Sequence, residues 1–160
     1  MSTFPAKILV ATDGSEDALL AVQAAVDLSN ETGAELHIVH VGESLPTYPP
    51  PASGPPPPTP SSGEIRRVAQ MLLDAQLEQI DEMGGNVAES HLQMGRPAEE
   101  ILRLSEEIVA GLIIVGNQGL SGRFSRMRRF LMGGVSESVT RYARCSVMVV
   151  RKDLYDRPSA

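Results

Sequence analysis

Short apolar runs along the chain alternate with stretches in which apolar residues recur every three or four positions. Short runs that are rich in β-forming residues and bounded by turn signals predict strands. These runs span Lys7–Asp13, Glu35–Val41, Val87–Gly95, Leu112–Gly116 and Ser146–Lys152. A three- to four-residue period predicts an amphipathic helix, so we expect a helix in each interval between consecutive strands.

The four predicted helices begin and end at recognisable signals. A serine can cap a first turn, a glycine commonly ends a helix, and a proline is tolerated at the first helical position. On these signals the helices extend from Ser15 to Gly33, from Ile65 to Gly84, from Pro97 to Ile108, and roughly from Val135 to Ala143.

The third predicted strand differs from the others because its apolar and polar positions alternate. One face carries Ala88, Ser90, Leu92 and Met94, and the other carries Val87, Glu89, His91 and Gln93. A strand of this kind has one wetter face or lies at the edge of a sheet.

Five strands that alternate with four helices indicate an α/β fold. The crossovers are long enough for right-handed βαβ units, so we predict an open, doubly wound parallel sheet with helices on both faces. Ligands of such sheets bind beyond the carboxyl ends of the strands, where the winding direction reverses. If the reversal lies between strands one and four, Asp13 and Gly116 face each other across that crevice.

The length of 160 residues and the 42% apolar composition suit one domain spanning residues 1–160. Residues 46–63 hold most of the chain's 12 prolines, and no regular element fits there. We therefore expect a proline-rich insertion between the second strand and the second helix. It could present P-x-x-P to a partner or act as a lid, although a mobile insertion is the simpler interpretation.

Charge and cysteine content narrow the partners and the compartment. A net charge of -6 and a pI near 5.0 disfavour nucleic acid and anionic membrane surfaces. Cys145 is the single cysteine, and the N-terminus lacks the features of a signal peptide, so we expect a cytoplasmic protein. No apolar run approaches the roughly 18 residues that span a bilayer.

A glycine- and arginine-rich loop follows the fourth predicted strand and occupies Gly116 to Gly134, with the sequence GNQGLSGRFSRMRRFLMGG. Glycines let a phosphate approach the backbone, and the start of the next helix supplies unsatisfied N–H groups. By contrast, Glu16 and Asp17 would repel a phosphate at the first strand. We therefore expect phosphates over this loop, with a base or sugar near Asp13. A structural turn without a ligand is the alternative interpretation.

No catalytic or metal-binding constellation stands out. His37, His40 and His91 lie on predicted strands without the spacing of a metal site, and no Ser-His-Asp or Cys-His set emerges. We interpret the three histidines as structural, and we expect neither catalytic residues nor a protein-bound metal. Cys145 precedes an apolar strand and is interpreted as a small core residue.

Neither common nucleotide signature is present, since there is no Walker A motif and no G-x-G-x-x-G after the first strand. What remains is GNQG and GGVSES, together with ILVATDGSE near the start and RCSVMVVRK near the end. With these motifs in this order, the sequence resembles the universal stress protein family over essentially the whole chain except the proline segment.

The resemblance implies a five-stranded sheet in the order 3-2-1-4-5, dimerisation and, in one branch, ATP bound through G-x2-G-x9-G-[ST], with Mg²⁺ or Mn²⁺ as the candidate ion. It places adenine near Thr12, Asp13 and Val41, and ribose and phosphates at Gly116 and Gly119. Gly133 and its successor would meet the terminal phosphates. The nucleotide-binding set is thus predicted as Ala11, Thr12, Asp13, Val41, Gly116, Gly119, Gly133, Gly134, Val135 and Ser136, with Arg123 and Arg126 as candidate phosphate contacts.

The loop departs from the family pattern at two points. Residues 120–132 stand where the pattern has nine positions, and Gly134 replaces Ser or Thr. The missing hydroxyl removes a hydrogen bond to a charged group, which is worth about 1.5–3 kcal/mol. Arginines of the loop could offset the loss, and Ser136 or Ser138 could supply a hydroxyl.

The departures leave rival functions open. The leading prediction is an adenine-nucleotide-binding stress protein that acts through conformation or partners, with slow ATP hydrolysis at most. A dimeric adaptor that binds no nucleotide is the alternative. An adenylating enzyme is disfavoured, because the sequence lacks the motifs of that class. In the 3-2-1-4-5 order the last strand is an apolar edge, so we predict a homodimer through Val147 and Val149.

Overall fold

A computed structural model describes residues 3–43, 52–55, 58–117 and 134–152. Strands and helices alternate along these residues. In chain order they are β1 (Lys7–Ala11), α1 (Glu16–Thr32), β2 (Glu35–Gly42), α2 (Ser62–Glu82), β3 (Val87–Met94), α3 (Pro97–Glu107), β4 (Leu112–Gly116), α4 (Gly134–Tyr142) and β5 (Ser146–Val150). Within the described ranges, no helix combines the length and apolarity needed to cross a membrane.

The five strands form one parallel sheet in the order β3-β2-β1-β4-β5. One apolar cluster joins α1 and α2 to one face of the sheet, and a second joins α3 and α4 to the other. Ile8 and Val10 belong to the first cluster, and Leu9 belongs to the second, because successive side chains of a strand point to opposite faces. The predicted doubly wound α/β fold and its strand order are confirmed.

Local capping decides where the helices begin and end. Ser15 Oγ accepts a hydrogen bond from the Ala18 N–H at 3.2 Å, and Gly33 ends α1 with φ 76°. At α2, Ser61 and Glu64 form a reciprocal capping box. The capping box moves the start of α2 from the predicted Ile65 to Ser62, inside the segment predicted as the insertion. Residues 46–51 and 56–57 of that segment lie outside the described residues.

The end of α3 is unusual because a valine takes a conformation that normally belongs to glycine. Val109 has φ 58°, and the residue is 80% exposed. The Val109 N–H bonds to Glu106 O, and the Ala110 N–H bonds to Ser105 O, which is the hydrogen-bond pattern of a Schellman motif. A β-branched residue is strained in this region, so the cap forms despite its side chain.

β3 lies at the edge of the sheet, as its alternation predicts, but its two faces are not the predicted ones. Leu36 pairs with Val87, whereas His37 pairs with Glu89, so Ala88 is an extra residue that forms a bulge. Val87 therefore packs against the cluster of α1 and α2, while Glu89 and His91 share the opposite face with His37 and Val39. Strict alternation wrongly groups Val87 with Glu89 and His91.

Candidate functional site

The strand order reverses between β1 and β4, and the segments that follow these two strands lie at the same edge of the sheet. A doubly wound sheet binds its ligands at such a point. β1 ends at Ala11, two residues before the predicted Asp13, because the chain turns there towards α1. The structure thus brings the ends of strands one and four side by side, as the predicted strand order requires, and a ligand crevice between them stays a prediction.

Thr12 is buried, and its hydrogen bonds link neighbouring elements where β1 ends. Its hydroxyl donates to Gln76 Oε1 at 3.0 Å and accepts from the Gly14 N–H at 3.3 Å. Its carbonyl oxygen accepts from His40 Nδ1 at 2.8 Å. These bonds fix β1, β2 and α2 relative to one another, and they also give His40 the structural role that was predicted for it.

Asp13 begins the turn that leads into α1. Its Oδ1 accepts a hydrogen bond from the Ser15 N–H at 2.9 Å, and Ser15 in turn caps the helix. The half-buried Asp13 carboxylate is therefore held in place at the mouth of the crevice. Ala11 ends β1 and Val41 lies near the end of β2, and both pack with the cluster of α3 and α4, so they supply apolar surface at this edge of the sheet.

Gly116 has a packing reason to be glycine. A Cβ atom at this position would lie 2.7 Å from the Asp17 carbonyl carbon and 3.0 Å from the Ala18 nitrogen. Because these are backbone atoms of α1, no side chain fits here without moving the helix. Close packing of α1 is a sufficient reason for this glycine, and its predicted contact with a nucleotide stays a prediction.

The start of α4 is tied to the end of β4. Ser136 is 2% exposed, and its hydroxyl donates to Asn117 O at 3.0 Å. The Asn117 N–H bonds to Val150 O at 3.0 Å, which extends the contact to β5. The Ser136 hydroxyl proton is thus already used within the protein, while Gly134 and Val135 are exposed at the first turn of α4.

Asn117 follows β4 directly and is absent from the predicted nucleotide-binding set. It is 8% exposed, and its Oδ1 is buried with no hydrogen-bond partner among the described residues. An unpaired buried acceptor is uncommon and calls for an explanation. Its position inside GNQG was the available signal. Gly119, Arg123, Arg126 and Gly133 lie outside the described residues.

A second polar group, which the sequence did not predict, lies on the face of β2 and β3 that α3 covers. His37 Nδ1 and His91 Nε2 are 3.2 Å apart, and Glu89 lies close enough for the three residues to hold a metal ion. Burial lowers the pKa of His91, and the neighbouring His37 lowers it further, against the opposing effects of Glu89 and Glu107. Pairing across two strands brings together histidines that are 54 residues apart in sequence.

Comparison with known proteins agrees with the fold and with the sequence motifs. The model of the universal stress protein family matches residues 6–151. This chain belongs to that family. The universal stress protein YxiE of Bacillus subtilis (strain 168) is 36% identical over 151 residues, which cover 91% of this chain and 98% of the relative.

Solved structures of other universal stress proteins share the fold. One, in complex with cAMP, has a TM-score of 0.65 at 23% identity and covers 92% of this chain and 97% of its own. Another, from Archaeoglobus fulgidus in complex with dAMP, has a TM-score of 0.62 at 21% identity. It covers 90% of this chain and 96% of its own. The predicted family membership of this universal stress protein is confirmed.

Proposed function

We propose that this universal stress protein is a cytoplasmic stress-response protein that binds an adenine nucleotide, ATP above all, in the crevice between β1 and β4. The observation that carries the proposal is the Ser136–Asn117 hydrogen bond, which places the amino end of α4 beside the end of β4. A helix start at this edge of a doubly wound sheet suits an anion, because its first N–H groups and its dipole attract negative charge. Relatives of the same fold bind cAMP and dAMP.

The two ends of the crevice suit the two ends of a nucleotide. The Asp13 carboxylate can accept hydrogen bonds from an adenine amino group or a ribose hydroxyl, and Ala11 and Val41 offer apolar surface for a base. The exposed backbone of Gly134 and Val135 at the start of α4 suits the phosphates. Arg123 and Arg126 are proposed to add charge there, with Mg²⁺ or Mn²⁺ on the phosphates.

The bound nucleotide is proposed to act through conformation or through a protein partner. Asp13 already accepts a hydrogen bond from the Ser15 N–H, and the Ser136 hydroxyl already donates one to the Asn117 carbonyl. Both residues therefore have structural roles here. Slow ATP hydrolysis is the most that the proposal includes. The rival function is an adaptor of the same fold without a nucleotide, and Gly134 in place of Ser or Thr favours it.

Calorimetric titration of nucleotide-stripped protein with ATP, AMP and cAMP, with and without Mg²⁺, tests the proposal. Asp13→Asn removes the charge but keeps an oxygen that can accept from the Ser15 N–H, so the turn survives. We expect about tenfold weaker binding, because a hydrogen bond to a charged group is worth about 1.5–3 kcal/mol. Gly116 is not a suitable test position, since any side chain there would disturb α1.

Asp27→Asn is the matched control, because Asp27 lies exposed on α1 away from the crevice. It should leave nucleotide affinity unchanged. Absence of heat and of thermal stabilisation at millimolar ATP would reject the proposal and favour the adaptor. Equal weakening by both variants would show that net charge, and not the crevice carboxylate, controls binding.

A homodimer through β5 is part of the same proposal. β4 pairs with one edge of β5, and no described strand pairs with the other edge. Val147 and Val149 are half-buried against the protein's own core, and Met148 is 37% exposed on the opposite face. A second copy of the strand would satisfy the open backbone groups of this apolar edge.

A further inference from the structure

The edge cluster, formed by Glu35, His37, Glu89 and His91, lies near the amino end of β2 and therefore away from the nucleotide crevice. From its geometry we infer that it is a binding site for a divalent transition metal ion, with zinc as the ion that fits best. His37 Nδ1, His91 Nε2 and a Glu89 carboxylate oxygen are the proposed ligands. Water would complete the coordination.

The spacing of the ligand atoms matches a zinc site. His37 Nδ1 and His91 Nε2 are 3.2 Å apart. Two nitrogens bound tetrahedrally at about 2.0–2.1 Å from zinc are about 3.3 Å apart. His91 Nε2 lies 3.9 Å from Glu89 Oε2, and all three ligand atoms lie within 4.8 Å of one another. Two imidazoles and a carboxylate are nitrogen and oxygen donors that zinc accepts readily.

A carboxylate outside the ligand set orients one of the imidazoles. Glu35 Oε2 lies 3.4 Å from His37 Nε2, so this carboxylate accepts a hydrogen bond from His37 Nε2–H. His37 Nδ1 then carries the lone pair, and it points towards His91. Metal-binding histidines commonly donate their second N–H to a carboxylate in this way, which fixes the tautomer and makes the ligand more basic.

In the metal-free protein, the same two histidines form a hydrogen bond. His91 Nε2–H donates to His37 Nδ1, with the ring centroids 5.5 Å apart and the rings within 16° of parallel. Metal binding requires the His91 proton to move from Nε2 to Nδ1 and the ring to turn so that both lone pairs converge. No proton is lost in this exchange, because His91 stays neutral throughout.

The charges around the cluster favour a cation. Glu35 and Glu89 are exposed carboxylates on the cluster itself, and Glu107 of α3 is near enough to influence His91. The burial of His37 at 4% exposure keeps one ligand in place, while the exposed Glu89 leaves a path from solvent. The bulge at Ala88 is what puts Glu89 and His91 on the face of His37.

Titration of untagged, chelator-treated protein with Zn²⁺ alone tests the inference, with Mg²⁺ as the comparison ion because it prefers oxygen ligands. We expect one Zn²⁺ per chain and no heat from Mg²⁺. Nitrogen NMR of the three histidines should show perturbed His37 Nδ1 and His91 Nε2 with His40 unchanged. This readout needs no substitution, so it does not depend on whether a variant folds.

Substitutions then assign the ligands. Glu89→Gln and His91→Gln change half-exposed or exposed residues of an edge strand, and each should weaken zinc binding at least tenfold. Glu35→Gln should weaken it about 10–100-fold, as loss of an orienting carboxylate does. Glu82→Gln, at an exposed carboxylate on α2, is the control and should bind as the parent does.

Two results would overturn the inference. One is the absence of zinc binding by the parent protein. The other is zinc binding that persists in His91→Gln while the signals of His37 and His91 in the parent stay unmoved, since the ion would then be held elsewhere on the chain. Nucleotide affinity plays no part in either result, so failure here is distinct from failure of the proposed function.

Discussion

Val109 occupies a position in which most chains would place glycine. Val109 has φ 58° at the end of α3. In this left-handed conformation Cβ lies too close to the following carbonyl oxygen, which makes the conformation unfavourable. This conformation costs an L-residue roughly 1–2 kcal/mol. Since the residue is 80% exposed, little packing offsets that cost.

Val109→Gly should therefore stabilise the protein by about 1 kcal/mol, because relief of strain exceeds the entropy that glycine adds to the unfolded chain. Urea denaturation measures the change. Val109→Ala is the matched control: it shortens the side chain but keeps Cβ, so it should give a much smaller gain. Equal gains from both substitutions would attribute the effect to the exposed side chain and contradict the strain.

Gly134 offers a gain-of-function test of the crevice. No described atom lies within 4 Å of the Cβ that a side chain would add there, and the residue is exposed at the start of α4. Gly134→Ser supplies the hydroxyl that the family pattern has at this position, and it should tighten ATP binding about tenfold. Calorimetry measures the effect.

Gly63→Ser is the control for Gly134→Ser, because it makes the same change in the first turn of α2. It should leave ATP affinity as in the parent. An unchanged affinity in Gly134→Ser, in a protein that does bind ATP, would mean that the phosphates do not reach the start of α4.

At the scale of elements, the chain predicts its strands and helices well and its strand faces less well. Ser15, Gly33 and Pro97 mark helix ends through local chemistry, so sequence alone locates them. The bulge at Ala88 depends on how β3 pairs with β2, and no local pattern reveals such a pairing. The edge cluster was missed for this reason, since its members meet only after the register is set.

Residues of the candidate site show the same division. The adjacency of the ends of β1 and β4 followed from topology, because the carboxyl ends of parallel strands share one edge. The reasons for Gly116 and Ser136 did not, since the first depends on where α1 packs and the second on which carbonyl the hydroxyl reaches. Tertiary contacts, and not sequence signals, decide both.

The stability of the folded protein should depend on pH through His91, which lies on β3. Burial lowers the pKa of His91 in the folded protein, so the unfolded chain binds its proton first as the pH falls. Stability from this group is fully present above the ordinary value of 6.5 and is lost as the pH falls from there to the lowered folded pKa. The groups acting on His91 are Glu89, His37 and Glu107.

Urea midpoints at pH 7.5 and pH 5.5, with chelator present, measure this dependence. The parent should lose more stability on acidification than His91→Gln does, because the variant lacks the titrating group. All other ionisable groups are the same in the two proteins, so the difference between the two losses reports His91 and its interactions. An identical loss in the two proteins would contradict the role of His91.

At the scale of the whole molecule, we predict a homodimer that forms through β5. Light scattering at micromolar concentration should give a dimer, and Met148→Glu should give a monomer because two like charges would meet across β5. Met71→Glu introduces the same charge on α2, where Met71 is 65% exposed, and should stay dimeric. A monomeric parent, or a dimer that survives Met148→Glu, would contradict pairing through β5.

The bulge in β3 also bears on the size of the proposed assembly. A sheet with two open edges could join head to tail and extend into a fibre. At β3, the extra Ala88 interrupts the regular ladder, and the exposed Glu89 adds charge beside it, features that make an edge a poor template for a further strand. With that edge unsuited to pairing, the proposed contact through β5 would join two copies and no more.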